Sequence, residues 1–109
     1  MSQLNDFLVR IPDRPDVLST RVSNVQAHMA GLKGLVESGT IVMSGPTLAE
    51  HPKTADAGLA INGSAWLVRA NTEADVRAIV ANDIYAKIGV WDLENVTVTP
   101  FKCAVRKPL

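Results

Sequence analysis

Cysteine and histidine are scarce in this chain, and their scarcity excludes whole classes of protein. The single cysteine, Cys103, cannot form a disulfide within the chain. The two histidines, His28 and His51, stand at a spacing that matches no metal-binding signature, even with the cysteine included. We therefore expect a protein with no internal disulfide, no metal ion and no other cofactor.

An excess of charge of either sign is missing as well. The 11 basic residues balance the 11 acidic residues, so the formal net charge is zero and the chain lacks the electrostatic footprint of a nucleic-acid-binding protein. Three basic residues near the end, Lys102, Arg106 and Lys107, are expected to form a solvated tail rather than a phosphate site.

Long apolar runs are also absent, since none approaches the roughly 20 residues of a membrane-spanning helix. The segment from Met1 to Asp6 is polar and lacks the basic start and apolar centre of a secretory signal. We therefore expect a cytoplasmic protein that does not contact a membrane.

Hydrophobic residues, at 47% of the 109, suffice for the core of one domain spanning residues 1–109. Leu4 to Ile11 is rich in β-forming residues and predicts a first strand. From Asp16 the apolar residues recur at steps of three and four until the stop signal Gly39, which predicts one helix. The apolar face of this helix comprises Leu18, Val22, Val25, Met29, Leu32 and Val36.

Two strands and a long loop are predicted next. Thr40 to Ser44 is a second strand that ends at Gly45-Pro46, and Ser64 to Ala70 is a third. Between them, Leu48 to Asn62 is polar and interrupted by glycine and proline, which is typical of a loop.

A helix and a strand complete the pattern. Thr72 opens a sequence that resembles a capping box, and the helix after it ends at Asn82-Asp83. Ile84 to Trp91 is a connector with room for one helical turn. Asn95 to Val105 alternates like a strand, with a break or bulge at Pro100.

The order of strand, helix, strand, strand, helix, strand predicts an α+β fold of the ferredoxin-like βαββαβ type, with an antiparallel sheet. Two helices can cover only one face of such a sheet. The strands nevertheless carry apolar residues of both parities, for example Phe7 and Val9 against Leu8. A second copy packed on the uncovered face would bury them, so we expect a homodimer.

His28 is the first candidate for chemistry because an imidazole can accept and give protons near neutral pH. It lies at the edge of the apolar face of the long helix, with Arg21 two turns earlier and Asn24 one turn earlier. A partly buried histidine that only caps or packs would show the same pattern.

Asp83 is the second candidate, since a carboxylate on one ring nitrogen of a histidine fixes the tautomer and strengthens the other nitrogen as a base. A residue at a helix end that bonds only to backbone would fit its position equally well. The aromatic residues Trp66, Tyr85, Trp91 and Phe101 are candidates either for a pocket or for core packing.

Several short segments, spread over nearly the whole chain, together form a specific pattern. They are His28 with Gly31-Leu32 and Leu35, Glu37 to Gly39, Val42 to Gly45, Gly63 to Ala65, Asn82 to Trp91, and Pro100 to Arg106. In these segments the chain resembles the YciI-related (YCII) family, especially its fungal-type and related bacterial members.

The resemblance implies a dimeric α+β barrel in which His28 and Asp83 match the family's histidine–aspartate pair. Arg21 matches an arginine of similar proteins. Two positions depart from the pattern: Ile84 stands where many relatives have proline, and Val25 stands where many have arginine. Residues expected to bind the substrate are Arg21, Asn24, Gly45, Tyr85 and Trp91.

Three functions are compatible with this picture. The first is a cofactor-free lyase or isomerase, in which His28 and Asp83 move a proton on a small cyclic substrate such as a quinol or a lactone. The second is a cofactor-free quinol monooxygenase, and the third is a dimer that binds a small molecule without converting it. The resemblance implies one example of the first function, the elimination of hydrogen chloride from a chlorinated hydroxyquinol.

Overall fold

The computed structural model of the protein describes residues 4–108. Met1 to Gln3, which belong to the segment considered above as a possible secretory signal, lie outside the described residues. Four strands form one sheet: β1 (Asn5–Pro12), β2 (Ile41–Leu48), β3 (Ile61–Ala70) and β4 (Thr97–Phe101). Four helices accompany them: α1 (Leu18–Ser23), α2 (Val25–Glu37), α3 (Glu73–Asn82) and α4 (Ile84–Lys87), with a 3-10 turn at Leu93–Asn95.

The sheet has the order β2-β3-β1-β4, and every pair of neighbouring strands is antiparallel. This order, with helices in the two crossovers, is that of the ferredoxin-like fold, so the predicted fold class is confirmed. None of the helices within residues 4–108 is long and apolar enough to cross a membrane.

The prediction of a single long helix is wrong in one respect, because the structure has two helices that are separated at Asn24. Asn24 has φ −116° and ψ 11°, outside the helical range, and its side chain donates a hydrogen bond to the Thr20 carbonyl. An asparagine side chain that competes for backbone groups disfavours a helix interior. Asn24 is therefore both the C-cap of α1 and the N-cap of α2.

The buried side of these helices also differs from the predicted apolar face. Of that face only Leu32 is buried, whereas Val22, Val25 and Met29 are 60%, 45% and 57% exposed. The residues turned toward the sheet include Arg21 and His28. His28 therefore lies on the buried side itself, and an apolar surface beside it stays open.

The predicted end of the second strand at Gly45-Pro46 is wrong, because β2 continues through both residues to Leu48. Pro46 pairs with Ser64 of β3. The strand can contain proline because β2 is an edge strand, where a missing N–H removes no bond from a central ladder. Pro100 likewise lies inside β4, the other edge strand, rather than at a break.

The second helical region follows the prediction closely. The Thr72 hydroxyl accepts a hydrogen bond from the Asp75 backbone N–H at 3.1 Å and caps α3. The connector contains the single helical turn α4.

Successive side chains along each strand point to opposite faces of the sheet. Phe7, Val9 and Ile11 point from β1 into the core beneath the helices. On the opposite side, which we call the outer face, Leu8 lies between Leu67 and Thr99, and Met43 lies beside Leu67. Leu8 and Met43 are 39% and 57% exposed, so the outer face retains apolar surface.

Candidate active site

The fold brings His28 and Asp83, which are 55 residues apart in sequence, into direct contact. The distance between His28 Nδ1 and Asp83 Oδ1 is 2.8 Å, and both side chains are less than one-tenth exposed. A carboxylate can only accept, so the proton of this bond lies on Nδ1. The other ring nitrogen, Nε2, has no hydrogen-bond partner among residues 4–108 and is free to act as a base.

Asp83 performs a second task with the same oxygen. It is the N-cap of α4, and its Oδ1 accepts a hydrogen bond from the Tyr85 backbone N–H at 2.9 Å. The two interpretations of Asp83, as a helix-end residue and as a partner of His28, therefore hold together. The cap fixes the carboxylate, and the carboxylate fixes the imidazole.

The Tyr85 ring supports the imidazole from one side. The two rings are stacked with centroids 4.1 Å apart and an interplanar angle of 12°. The Tyr85 hydroxyl donates to the Arg21 carbonyl at 2.9 Å. Burial raises the pKa of Tyr85, against a smaller lowering by the charge of Arg21 and with smaller raising effects of Asp83 and Asp13. Tyr85 thus stays protonated and serves as a donor.

Arg21 organises the far end of the site. Its Nη2 donates to the Gly63 carbonyl at 2.8 Å and to Ser64 Oγ at 2.7 Å, and its Nε lies 3.6 Å from Asp13 Oδ2. Its guanidinium carbon lies 4.8 Å from the Tyr85 ring centroid, a cation–π contact. Burial raises the pKa of Asp13, and the charge of Arg21 opposes that rise.

A cavity of about 310 Å³ opens beside these groups, between α1, α2 and the strands β2 and β3. Arg21, His28 and Tyr85 line it together with Gly45, so four expected site residues share one pocket. Within residues 4–108, no group of three or more His, Cys, Asp and Glu side chains is placed to hold a metal ion.

Two expected substrate-binding residues do not line this pocket. Asn24 lies at the helix break, with its amide engaged by the Thr20 carbonyl. Trp91 is fully buried behind the site, where it meets the His28 ring edge-on at a centroid distance of 5.8 Å and the Trp66 ring at 5.4 Å. It supports the imidazole rather than facing the cavity.

Ser64 is a pocket residue that the sequence did not single out. It is 3% exposed and shares the inward parity of Trp66 and Val68 on β3. Its Oγ already accepts from Arg21, so its own proton is free to be donated into the cavity. The signal available in the sequence was a serine that shares its parity with the apolar residues Trp66, Val68 and Ala70.

The match to known families agrees with this geometry. Residues 6–102 match the model of the YCII-related domain, and the chain belongs to that family. Among curated relatives, it is 46% identical over 89 residues to the derivative of benzaldehyde biosynthesis cluster protein C of Emericella nidulans, covering 82% of this chain and 91% of that protein.

Two further similarities concern a second fungal protein and a solved bacterial enzyme. The chain is 36% identical over 101 residues to fusaric acid biosynthesis protein 2 of Gibberella moniliformis, covering 93% of this chain and 96% of that one. It also superposes on the 5-chloro-2-hydroxyhydroquinone dehydrochlorinase of Burkholderia phenoliruptrix, solved in complex with 2,5-dihydroxybenzoquinone. That match has a TM-score of 0.73 at 32% identity and covers 89% of this chain and 93% of the other.

Proposed function

We propose that the protein is a cofactor-free enzyme that moves a proton on a small hydroxylated cyclic substrate, as a lyase or an isomerase. One observation carries the proposal: His28 lines a cavity and is held from behind by a buried contact of 2.8 Å with Asp83, while its second ring nitrogen has no partner among residues 4–108. The similarity to a dehydrochlorinase that binds a dihydroxyquinone supports the same class of substrate.

In the proposed reaction His28 is the general base. Its Nε2 takes a proton from a hydroxyl group or an acidic C–H of the substrate, and the electron pair left behind forms a new double bond. In an isomerisation the imidazolium returns the proton to another carbon, which completes the reaction. In elimination from a chlorinated hydroxyquinol the imidazolium returns the proton to the ring carbon that bears chlorine; chloride then departs with its bonding pair while a second hydroxyl proton is lost, which leaves the quinone. Asp83 stabilises the imidazolium that exists between these steps.

Negative charge develops on a substrate oxygen when the proton leaves, and Ser64 is positioned to meet it. Its hydroxyl can donate to that oxygen while Arg21 donates to Ser64, so the guanidinium charge strengthens the serine as a donor. Preorganised donors of this kind act best in a buried site such as this one.

The direct test is turnover of a chlorinated hydroxyquinol under anaerobic conditions. We expect the wild-type protein to release chloride in step with quinone formation and to do so without oxygen, because elimination needs no oxidant. Activity that appears only with oxygen and consumes it would favour the monooxygenase. Saturable binding of the hydroxyquinol without any product would leave the binding dimer as the function.

We propose further that two copies associate through the outer face of the sheet. The apolar side chains there, Leu8, Met43 and Phe101, are 39%, 57% and 42% exposed, and the helices of one copy cover only the opposite face.

We expect sedimentation at micromolar concentration to give twice the monomer mass of 11.7 kDa. Met43→Glu should shift the species toward the monomer, and a monomeric wild-type protein would contradict the barrel.

A further inference from the structure

The cavity beside His28 has two chemically different ends. Its floor is buried and polar, formed by Arg21, His28, Ser64 and Tyr85, which are all 7% exposed or less. Its rim is open and largely apolar. The helices contribute Val22, Val25 and Met29 to the rim, and the sheet contributes Pro46 and Ile61 on the other side.

No free charge stands on this rim. Arg21 and His28 are the only residues with basic side chains that line the cavity within the described part of the chain, and both belong to the floor. On the floor, Nη2 of Arg21 donates to Gly63 and Ser64, and Nε lies 3.6 Å from Asp13 Oδ2. Its Nη1 is buried without a hydrogen-bond partner among the described residues, so the unused donor also belongs to the floor and not to the rim. An anionic group on the outer part of a ligand would therefore leave water without finding a counter-ion, which costs free energy.

We infer that the substrate carries an uncharged apolar substituent, such as a short alkyl group, on the side away from the reacting oxygens. This inference rests on the proposed function, because it places the hydroxylated ring against His28 and Ser64. The ring then occupies the floor, and the substituent lies between Val25 and Met29 on one side and Ile61 on the other. The cavity volume of about 310 Å³ accommodates one ring with a short substituent.

The burial of apolar surface predicts the size of the effect. Each methylene group that leaves water for this rim should tighten binding about fourfold, until the substituent extends beyond Met29 into solvent. A carboxylate at the same place should weaken binding, because the largely apolar rim, where Ser44 is the one polar side chain among the described residues, offers it no cation.

Binding of 2,5-dihydroxybenzoquinone and of its 3-methyl, 3-propyl and 3-carboxyethyl derivatives tests the inference by calorimetry. We expect the dissociation constant to fall from the parent to the methyl and propyl compounds, and the carboxyethyl compound to bind more weakly than the propyl compound. Equal affinity for the parent and propyl compounds, or tighter binding of the carboxylate, would overturn the inference.

A charge placed on the rim provides the matched comparison. Val25→Lys should abolish the preference for the propyl over the carboxyethyl compound, or reverse it. Val36→Lys should leave it unchanged, because Val36 is a similarly exposed valine of α2 that does not line the cavity. If both variants behave alike, Val25 does not contact the substituent and the inference is wrong.

Binding and turnover separate this inference from the proposed function. Tighter binding of the alkyl series without turnover of any hydroxyquinol would uphold the apolar rim and contradict the enzyme. Turnover with no dependence on the alkyl group would uphold the enzyme and contradict the apolar rim. If none of the quinones binds, both are contradicted.

Discussion

His28→Ala is expected to lower turnover by about 10²- to 10⁴-fold, the range that a positioned general base typically contributes. The imidazole is the base in the proposed reaction, and alanine supplies no replacement. Asp83→Asn should lower turnover strongly as well, because an amide can donate to Nδ1 and thereby leave the proton on Nε2. The base would then be in the wrong tautomer while the shape of the site changes little.

The variant with both substitutions should be little worse than His28→Ala alone. Asp83 acts through the imidazole, so removing the aspartate has no further effect once the imidazole is gone.

Thermal stability measured on the same samples distinguishes catalysis from packing. Both residues are buried, so a purely structural role would lower activity and melting temperature in proportion. His51→Ala is the control, because His51 is the other histidine and lies exposed in the β2–β3 hairpin. A folded His28→Ala protein with wild-type turnover would refute the mechanism.

Arg21→Met is expected to destabilise the fold by about 3–5 kcal/mol, the usual effect of breaking a buried ion pair from one side. Arg21 and Asp13 have side chains only 6% exposed, and methionine would leave the Asp13 carboxylate without its cation. The same change removes the donors to the Gly63 carbonyl and to Ser64. Denaturant unfolding at pH 7 measures the loss.

The pH dependence of this variant gives a second readout. Burial raises the pKa of Asp13, and losing Arg21 removes the effect that lowers it, so the pKa should rise further. A carboxyl group whose pKa is higher in the folded protein binds its proton more tightly there, so its burial costs stability as the pH rises through that pKa. Arg21→Met should therefore be most stable in mild acid and lose stability toward neutral pH.

Adding Asp13→Asn to Arg21→Met supplies the control. The neutral amide needs no counter-ion, so the double variant should regain part of the stability and lose the extra pH dependence. An Arg21→Met protein as stable as the wild type at pH 7 would show that the pair contributes little to folding.

The sequence predicted the order of the strands and helices because most of these elements carry a local signal, although some of their bounds were wrong. Thr72, for example, is the N-cap residue that marks the start of α3. The order of strands and helices is then compatible with only a few topologies. The break at Asn24 was missed because the apolar steps run across it without interruption. The buried side of the helices was predicted only in part for a different reason. The polar residues Arg21 and His28 occupy buried positions in line with Leu32, whereas Val22, Val25 and Met29 are exposed.

The candidate active site could be predicted from the sequence less completely than the fold. Periodicity places His28 and Asp83 on separate elements, and only the family resemblance suggested that they meet. Ser64 was missed because a serine in a strand is chemically unremarkable until its partner is known. That partner, Arg21, is 43 residues away in sequence and reaches Ser64 only through the tertiary fold.

Both edge strands of the sheet contain a proline, Pro46 in β2 and Pro100 in β4. A strand from another molecule that extended the sheet at either edge would meet a strand that lacks one backbone N–H. Strand addition of this kind is a common beginning of fibril growth. The two prolines therefore disfavour edge-to-edge addition of strands at both sides of the sheet, and they leave its outer face unaffected.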